Sequence, residues 1–308
     1  MRKRCLEVVH RLAKRDERVV FVGSDLGFKT LDAFRKELPE RFLVEGISEQ
    51  NVVGLAAGLA LEGRIPYVNT IATFLTRRAL EQVAMDLCLH DLPVRLIGNG
   101  GGLVYAPLGS THLAVEDIAL MRALPHMTVV CPADAEEMER FMERTLDWPH
   151  PIYIRLAKGY DPVVTDQAKG FEIGRGYTYR QGSDVLLLTA GIGLRICLEA
   201  ADILAQQQVA ATVLHLPTVK PLDADAVLAA ARGVRAVVSV EEHTVVGGLG
   251  SAAAELLLEA GVFRPFRRVG LPDVFPDHYG TQNALMERYG IWPQPVAERA
   301  LELLAAGG

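Results

Sequence analysis

The chain has 308 residues, of which 50% are hydrophobic and 23% are charged, a composition that is ordinary for a soluble globular protein. Its formal net charge of −6 argues against a nucleic-acid partner, because nucleic-acid-binding domains more often present a basic face. No apolar run reaches the roughly 18–20 residues that span a bilayer, and the basic start lacks the apolar stretch of a signal peptide. We therefore expect a cytoplasmic protein without a membrane partner.

The four cysteines are scattered along the chain with no short pairing between them (Cys5, Cys88, Cys131 and Cys197). This spacing favours reduced thiols of a cytosolic protein over a disulfide framework or a zinc site. The sequence indicates no metal ligands within this chain.

In the first half, short β-branched runs alternate with longer helical patterns. Strands are predicted at 19–22, 65–69, 94–98, 128–131 and 151–155, and helices at 49–62, 76–87 and 135–147. This alternation favours an α/β domain with a parallel sheet covered on both faces, over residues 1–160.

The pattern stops after residue 157 and resumes at 185. Residues 161–183 are interpreted as a linker that contains one edge strand at most. Strands are then predicted at 185–189, 209–216, 236–240 and 266–269, with helices at 194–206, 223–231 and 248–259. These form a second, smaller α/β domain over 184–308.

The helix predicted from residue 49 carries an acidic residue in its first turn. Ser48 is a plausible N-cap, and the helix dipole favours the Glu49 carboxylate. Alone, this pattern indicates only an ordinary helix start. However, Gly54 and Gly58 lie on one face at a cost of roughly 1 kcal/mol each relative to alanine. They predict close packing against a second subunit, where a partly desolvated Glu49 could share a proton near neutrality.

This segment resembles the catalytic-glutamate segment of transketolases and deoxyxylulose-phosphate synthases. Further matching segments lie in the same order and spacing at 70–83, 109–112, 131–134, 220–223, 240–243 and 247–250. The resemblance covers the whole chain. It implies the C-terminal subunit of a split transketolase, with a pyrimidine-binding domain and a transketolase C-terminal-like domain.

The resemblance implies thiamine diphosphate as the cofactor and a role for each matching residue. Glu49 matches the glutamate that hydrogen-bonds N1′ of the aminopyrimidine, and Ile47 and Phe74 match residues that contact that ring. His112 matches a histidine that contacts substrate oxygens. Apart from the resemblance, Phe74 has the simpler interpretation of a core aromatic, and His112 that of a loop residue. The implied activity is transfer of a two-carbon ketol unit from a ketose, expected to be phosphorylated, to an aldehyde acceptor.

Three basic residues match phosphate-binding positions of the family: Arg77, Arg155 and Lys158. A guanidinium suits phosphate oxygens, although a surface salt bridge is an equally simple interpretation of Lys158. The glycines at 98–102 predict a flexible loop that lets backbone approach a ligand.

Two departures from the family pattern matter. The chain lacks the Gly-Asp-Gly signature of the domain that binds diphosphate and Mg²⁺, so we expect a separate N-terminal subunit to hold both, in an α2β2 assembly. Leu108 replaces an aspartate that reads a substrate hydroxyl, and Gly100 lies near the position of a further substrate histidine. A non-standard sugar substrate is therefore expected.

Three alternatives stay open. The β subunit of a 2-oxo acid dehydrogenase E1 component has the same two domains and a partner subunit. A non-catalytic regulatory partner would explain Leu108 and Gly100. A dinucleotide-binding enzyme is suggested by the glycines at 191 and 193, but the third glycine of that fingerprint is missing.

Overall fold

The computed structural model describes residues 1–23, 31–157 and 161–306, which form two α/β domains, as predicted. The strands within these residues are β1 (Val19–Gly23), β2 (Phe42–Val44), β3 (Ile65–Ile71), β4 (Arg95–Asn99), β5 (Thr128–Val130), β6 (Ile152–Leu156), β7 (Tyr177–Arg180), β8 (Val185–Thr189), β9 (Ala211–His215), β10 (Thr218–Lys220), β11 (Ala236–Thr244) and β12 (Phe266–Leu271). The helices are α1 (Arg2–Arg15), α2 (Asp32–Glu37), α3 (Glu49–Leu61), α4 (Leu80–Gln82), α5 (Asp117–Ala123), α6 (Ala135–Met142), α7 (Gly193–Gln206), α8 (Ala224–Arg232), α9 (Leu249–Glu259), α10 (Gln282–Arg288) and α11 (Pro293–Ala306).

The first sheet has seven strands in the order β10-β5-β6-β4-β3-β1-β2. Every residue of β1, β4, β5 and β6 is buried, as expected for strands that are covered on both faces. Neighbouring strands are parallel except at the β10 edge, where Thr218 pairs with Val130 in antiparallel fashion. The sheet is therefore parallel, as predicted, with one short antiparallel strand added from the second half of the chain.

The second sheet has the order β12-β11-β8-β9-β7. Strands β8, β9, β11 and β12 are parallel, and β7 closes one edge in antiparallel fashion against β9. The edge strand predicted within the linker is thus found at Tyr177–Arg180. Helices α7 and α11 pack together over this sheet. Their apolar core also includes buried residues of the first domain, among them Leu103 and Leu113.

The helix predicted at 76–87 is irregular. π-helical turns at Phe74–Arg78 and Val83–Cys88 flank the short α4. All four cysteines are buried and free, as predicted. In the described ranges, every helix is too short or too polar to cross a bilayer.

One edge of the first sheet collects the predicted functional residues. The carboxyl ends of parallel strands share an edge, so the segments that leave them come together. The segment after β2 leads to Glu49, the segment after β3 leads to Phe74, and the segment after β4 leads to His112.

Candidate active site

Glu49 opens α3, and it is 1% exposed. Ser48 occupies the N-cap position, as predicted, but its hydroxyl donates to the Glu45 carbonyl at 3.1 Å and does not cap the helix. Arg78 Nη1 donates to Glu49 Oε2 at 2.5 Å, and Thr70 Oγ1 lies 3.5 Å from Oε1. The carboxylate is therefore buried but balanced by a cation that the sequence analysis did not single out.

Phe74 connects the other residues of this edge. Its half-buried ring lies 4.3 Å from the guanidinium carbon of Arg78, close enough for a cation–π attraction. The His112 imidazole meets the same ring edge to face, with 5.4 Å between the centroids. Glu49, Phe74 and His112 were predicted from separate segments. The structure links them, because Arg78 contacts Glu49 and Phe74, and Phe74 contacts His112.

Arg77 holds the segment that carries His112. Its guanidinium forms a two-point ion pair with the Glu116 carboxylate, in which Nη2 is 2.8 Å from Oε2. Nη2 also donates to the Leu113 carbonyl at 3.0 Å, and Nη1 lies 3.5 Å from the Ser110 carbonyl. The guanidinium that was predicted to bind phosphate is thus engaged by groups of the protein.

Arg155 lies in a buried ionic cluster between the two domains. Its Nε donates to Asp117 Oδ2 at 2.8 Å, and its Nη2 donates to the Glu242 carbonyl at 2.7 Å. Burial acts to lower the pKa of Arg155, but the charges of Asp117 and Glu242 outweigh burial and raise it. Burial also raises the pKa of Glu242 to about 7. Arg155 therefore joins the domains, whereas Lys158 lies outside the described residues.

The glycine run after β4 is packed and buried. A Cβ atom on Gly100 would lie 2.1 Å from the Tyr105 ring, and one on Gly102 would lie 2.4 Å from Glu242 Cδ. Both glycines have positive φ, 75° and 70°, and Leu103 N donates to Glu242 Oε1 at 2.8 Å. The prediction of a flexible loop here is wrong, because glycine is needed for close packing within the chain.

One face of α3 stays open. Nothing lies within 4 Å of the position that a Cβ atom would take on Gly58, and Leu61 on the same side is 66% exposed. Within the described residues, the chain makes none of the close packing predicted at Gly58. Ile47, just before the helix, is 69% exposed, and Leu108 on the segment after β4 is 51% exposed.

The donor set at this edge suits an aminopyrimidine ring. Glu49 presents a buried carboxylate, and Phe74 presents a half-buried aromatic ring. Asn99 Oδ1, at the end of β4, is buried and has no hydrogen-bond partner among the residues that the structure describes. Its Nδ2 donates to Asn69 Oδ1 at 2.8 Å, which fixes the amide at the sheet edge.

Comparison with known proteins gives a family match for each of the two domains. Residues 1–160 match the pyrimidine-binding domain of transketolase, and residues 174–296 match the transketolase C-terminal domain. One subunit of the apulose-4-phosphate transketolase of Phocaeicola vulgatus is 35% identical over 305 residues, which cover 98% of this chain and 97% of that protein.

Two further similarities differ in extent. A 1-deoxy-D-xylulose-5-phosphate synthase of Symbiobacterium thermophilum is 40% identical over 300 residues, but the chain spans only 46% of the synthase, about half its length. A solved split-gene transketolase, described as an inactive beta4 tetramer, is 36% identical and has a TM-score of 0.90, with 100% of this chain and 98% of that chain covered. From both domain matches and the identity along a whole subunit, we conclude that this chain belongs to the transketolase family.

Proposed function

We propose that this chain is the pyrimidine-binding subunit of a thiamine-diphosphate-dependent transketolase. In this proposal it transfers a two-carbon ketol unit from a phosphorylated ketose to an aldehyde acceptor. The observation that carries the proposal is the buried Glu49 carboxylate, grouped with Phe74 and His112 at the carboxyl edge of the sheet. Thiamine diphosphate, when bound, supplies the electron sink for carbon–carbon cleavage.

The residues of the chain position the reacting groups and move protons. Glu49 Oε1 would hold a pyrimidine nitrogen by a hydrogen bond and move a proton there, while Phe74 would supply the aromatic surface beside the ring and Ile47 would contact it. His112, held by the Arg77 contacts and with Nδ1 2.9 Å from Thr111 Oγ1, donates to a substrate oxygen.

The contacts of the basic residues suggest which one meets the substrate phosphate. Arg77, Arg155 and Arg78 each pair with a carboxylate, but the side chain of Arg78 is the most exposed of the three, at 42% against 30% for Arg77 and 9% for Arg155. We place Arg78 first among the described cations for this contact, and Lys158 stays a prediction. Leu108 leaves an apolar side chain where the family has an aspartate, which supports an unusual sugar substrate.

A second subunit completes the site in this proposal. An N-terminal subunit holds the diphosphate and Mg²⁺ through oxygen ligands, and two copies of each chain form an α2β2 assembly in the cytoplasm. The open Gly54 and Gly58 face of α3 supports self-association. The similarity to one subunit of a multi-chain transketolase and to a split-gene transketolase supports the same arrangement.

Calorimetric titration of thiamine diphosphate with Mg²⁺ tests the shared site. We expect tight binding only when the chain is mixed with the N-terminal subunit of a split transketolase and the complex has been verified. Equally tight binding by this chain alone would contradict the shared site. No binding by the verified complex would instead favour the regulatory alternative.

Replacement of Glu49 tests the catalytic assignment. Glu49→Gln should lower the activity of the reconstituted pair by at least about 100-fold, since proton transfer by a positioned group contributes 10²–10⁴-fold. Glu298→Gln, an exposed carboxylate on α11 of the second domain, is the matched control and should retain activity. Undiminished turnover in Glu49→Gln would contradict the assignment.

Release of carbon dioxide from pyruvate in place of ketol transfer would favour the 2-oxo acid dehydrogenase alternative.

A further inference from the structure

Two histidines and an aspartate meet at the amino edge of the first sheet, opposite the edge that carries Glu49. Asp91 precedes β4, His126 precedes β5 and His150 precedes β6. These three strands are parallel neighbours in the order β5-β6-β4, so the segments that lead into them reach the same edge. Sheet topology therefore gathers three side chains that lie far apart in the sequence.

Both histidines of this cluster place Nδ1 close to the Asp91 carboxylate. His150 Nδ1 lies 2.8 Å from Asp91 Oδ1, and His126 Nδ1 lies 3.2 Å from Asp91 Oδ2. One ligand atom from each residue can be chosen so that all three lie within 4.8 Å of one another. Ligand atoms at about 2.0–2.2 Å from a tetrahedral zinc ion lie roughly 3.4 Å from one another. The two nitrogen–oxygen distances in the cluster, 2.8 and 3.2 Å, are close to that value.

The cluster is fixed by its backbone and open to solvent. Asp91 and His126 lie in turns and have φ of 50° and 64°. The His150 carbonyl accepts from Nη1 of the buried Arg95 at 2.9 Å, and Trp148 packs edge to face on the His150 ring. The side chains of Asp91, His126 and His150 are 33%, 50% and 41% exposed, so an ion can reach them.

Asp91 lies between the two imidazoles, with one carboxylate oxygen facing each ring. A carboxylate oxygen and two imidazole nitrogens form a mixed donor set of the kind that zinc takes.

We propose that Asp91, His126 and His150 bind a divalent transition-metal ion of the zinc type through one carboxylate oxygen and two imidazole nitrogens. Imidazole suits zinc, copper, iron and nickel, whereas Mg²⁺ prefers an all-oxygen shell, so this site differs in chemistry from the diphosphate site. Three protein ligands leave a position for water. For Nδ1 to coordinate, each neutral imidazole carries its proton on Nε2.

Zn²⁺ and Co²⁺ titrations of the untagged, chelator-treated chain test this site. We expect one ion per chain by calorimetry and by metal content after desalting, and visible ligand-field bands with Co²⁺. Asp91→Asn and His126→Asn should each weaken binding about tenfold or more, and asparagine tolerates the left-handed backbone at both positions. His150→Gln, which alters a position without positive φ, should have the same effect.

The control is His10→Gln. It removes another histidine that faces a carboxylate, since His10 Nε2 lies 3.2 Å from Glu37, but it leaves the proposed ligands intact. Zinc affinity should be unchanged in this variant, and Mg²⁺ should not compete. Absence of zinc binding at micromolar concentration would overturn the proposal, as would unaltered affinity in the three cluster variants. Neither outcome depends on ketol-transfer activity.

Discussion

At the scale of single residues, the Glu49–Arg78 pair is unequal in burial: the carboxylate is 1% exposed and the arginine side chain 42%. Removal of the cation would leave a buried carboxylate without its charged partner, which is the costly way to break an ion pair. We expect Arg78→Gln to lower the free energy of unfolding by roughly 1–2 kcal/mol, less than for a fully buried pair because solvent screens the guanidinium. Urea unfolding measures this loss.

Arg78→Lys is the matched control because it keeps the charge. It should lose less stability than Arg78→Gln, although it cannot reproduce the planar contact with the Phe74 ring. Equal stability of wild type and Arg78→Gln would contradict an ion pair that supports the buried Glu49.

Residue-level prediction from the sequence was most specific where the signal was local and ambiguous where two positions were equivalent in pattern. Glu49 was identifiable because a helix start and the glycines that follow it are contiguous. Arg77 and its neighbour Arg78 are both helical, about 100° apart around the axis, so chain order alone could not choose between them. The four-residue spacing from Phe74 to Arg78 was the available signal. The ligands proposed at the amino edge have no short spacing, so no metal site was predicted.

At the scale of elements, α3 has one face that the rest of the described chain does not cover. Gly58→Ala should raise the unfolding free energy of the isolated chain by about 1 kcal/mol, because alanine is favoured over glycine in a helix interior and no atom lies near the new Cβ. Gly58→Leu should instead weaken self-association about tenfold or more. Urea unfolding and sedimentation velocity measure the two effects.

Ala229→Leu on α8 is the control for this helix. It places the same side chain on an exposed helical position of the second domain, and association should be unchanged. Unaltered association of Gly58→Leu would contradict packing of another chain against this face.

Element prediction followed hydrophobic periodicity and missed elements of different lengths. The strands at β1, β3, β4 and β6 were recognised because each lies in a largely buried run with apolar side chains. Two strands of three residues, β2 and β10, were missed because so short a run shows no period, although β5, of the same length, was predicted within the apolar run at 128–131. The 14-residue α11 was not predicted either. The π-helical turns around α4 also escaped prediction, because a local change from i+4 to i+5 bonding leaves little trace in the pattern.

At the scale of the whole molecule, buried polar groups join the two domains beside the glycine run that follows β4 (residues 98–102). Glu242 of β11 accepts from Leu103 N and from Gln282 Nε2, both at 2.8 Å, while its carbonyl accepts from Arg155. Lys220 of β10 donates to the Arg122 carbonyl at 3.0 Å. The second domain therefore shapes the segment that leads to His112, although it contributes none of the grouped residues around Phe74.

Glu242 should make this junction sensitive to pH. Burial raises its pKa in the folded chain to about 7, above the unfolded value of about 4.3, so the folded state holds this proton more tightly between those values. The stability from this group is full below about pH 4.3 and is lost as the pH rises through 7, by at most roughly 4 kcal/mol.

Glu242→Gln removes this titration and keeps an acceptor for Leu103 N. The unfolding free energy of Glu242→Gln relative to wild type should therefore rise between about pH 5 and about pH 8, as measured by urea unfolding at both values. Glu62→Gln, an exposed carboxylate, should follow the wild-type dependence. If Glu242→Gln has the same pH dependence as wild type, then Glu242 is ionised throughout and Arg155 offsets its burial. The junction would in that case be a fixed ion pair, and the approach of the domains would not respond to pH near neutrality.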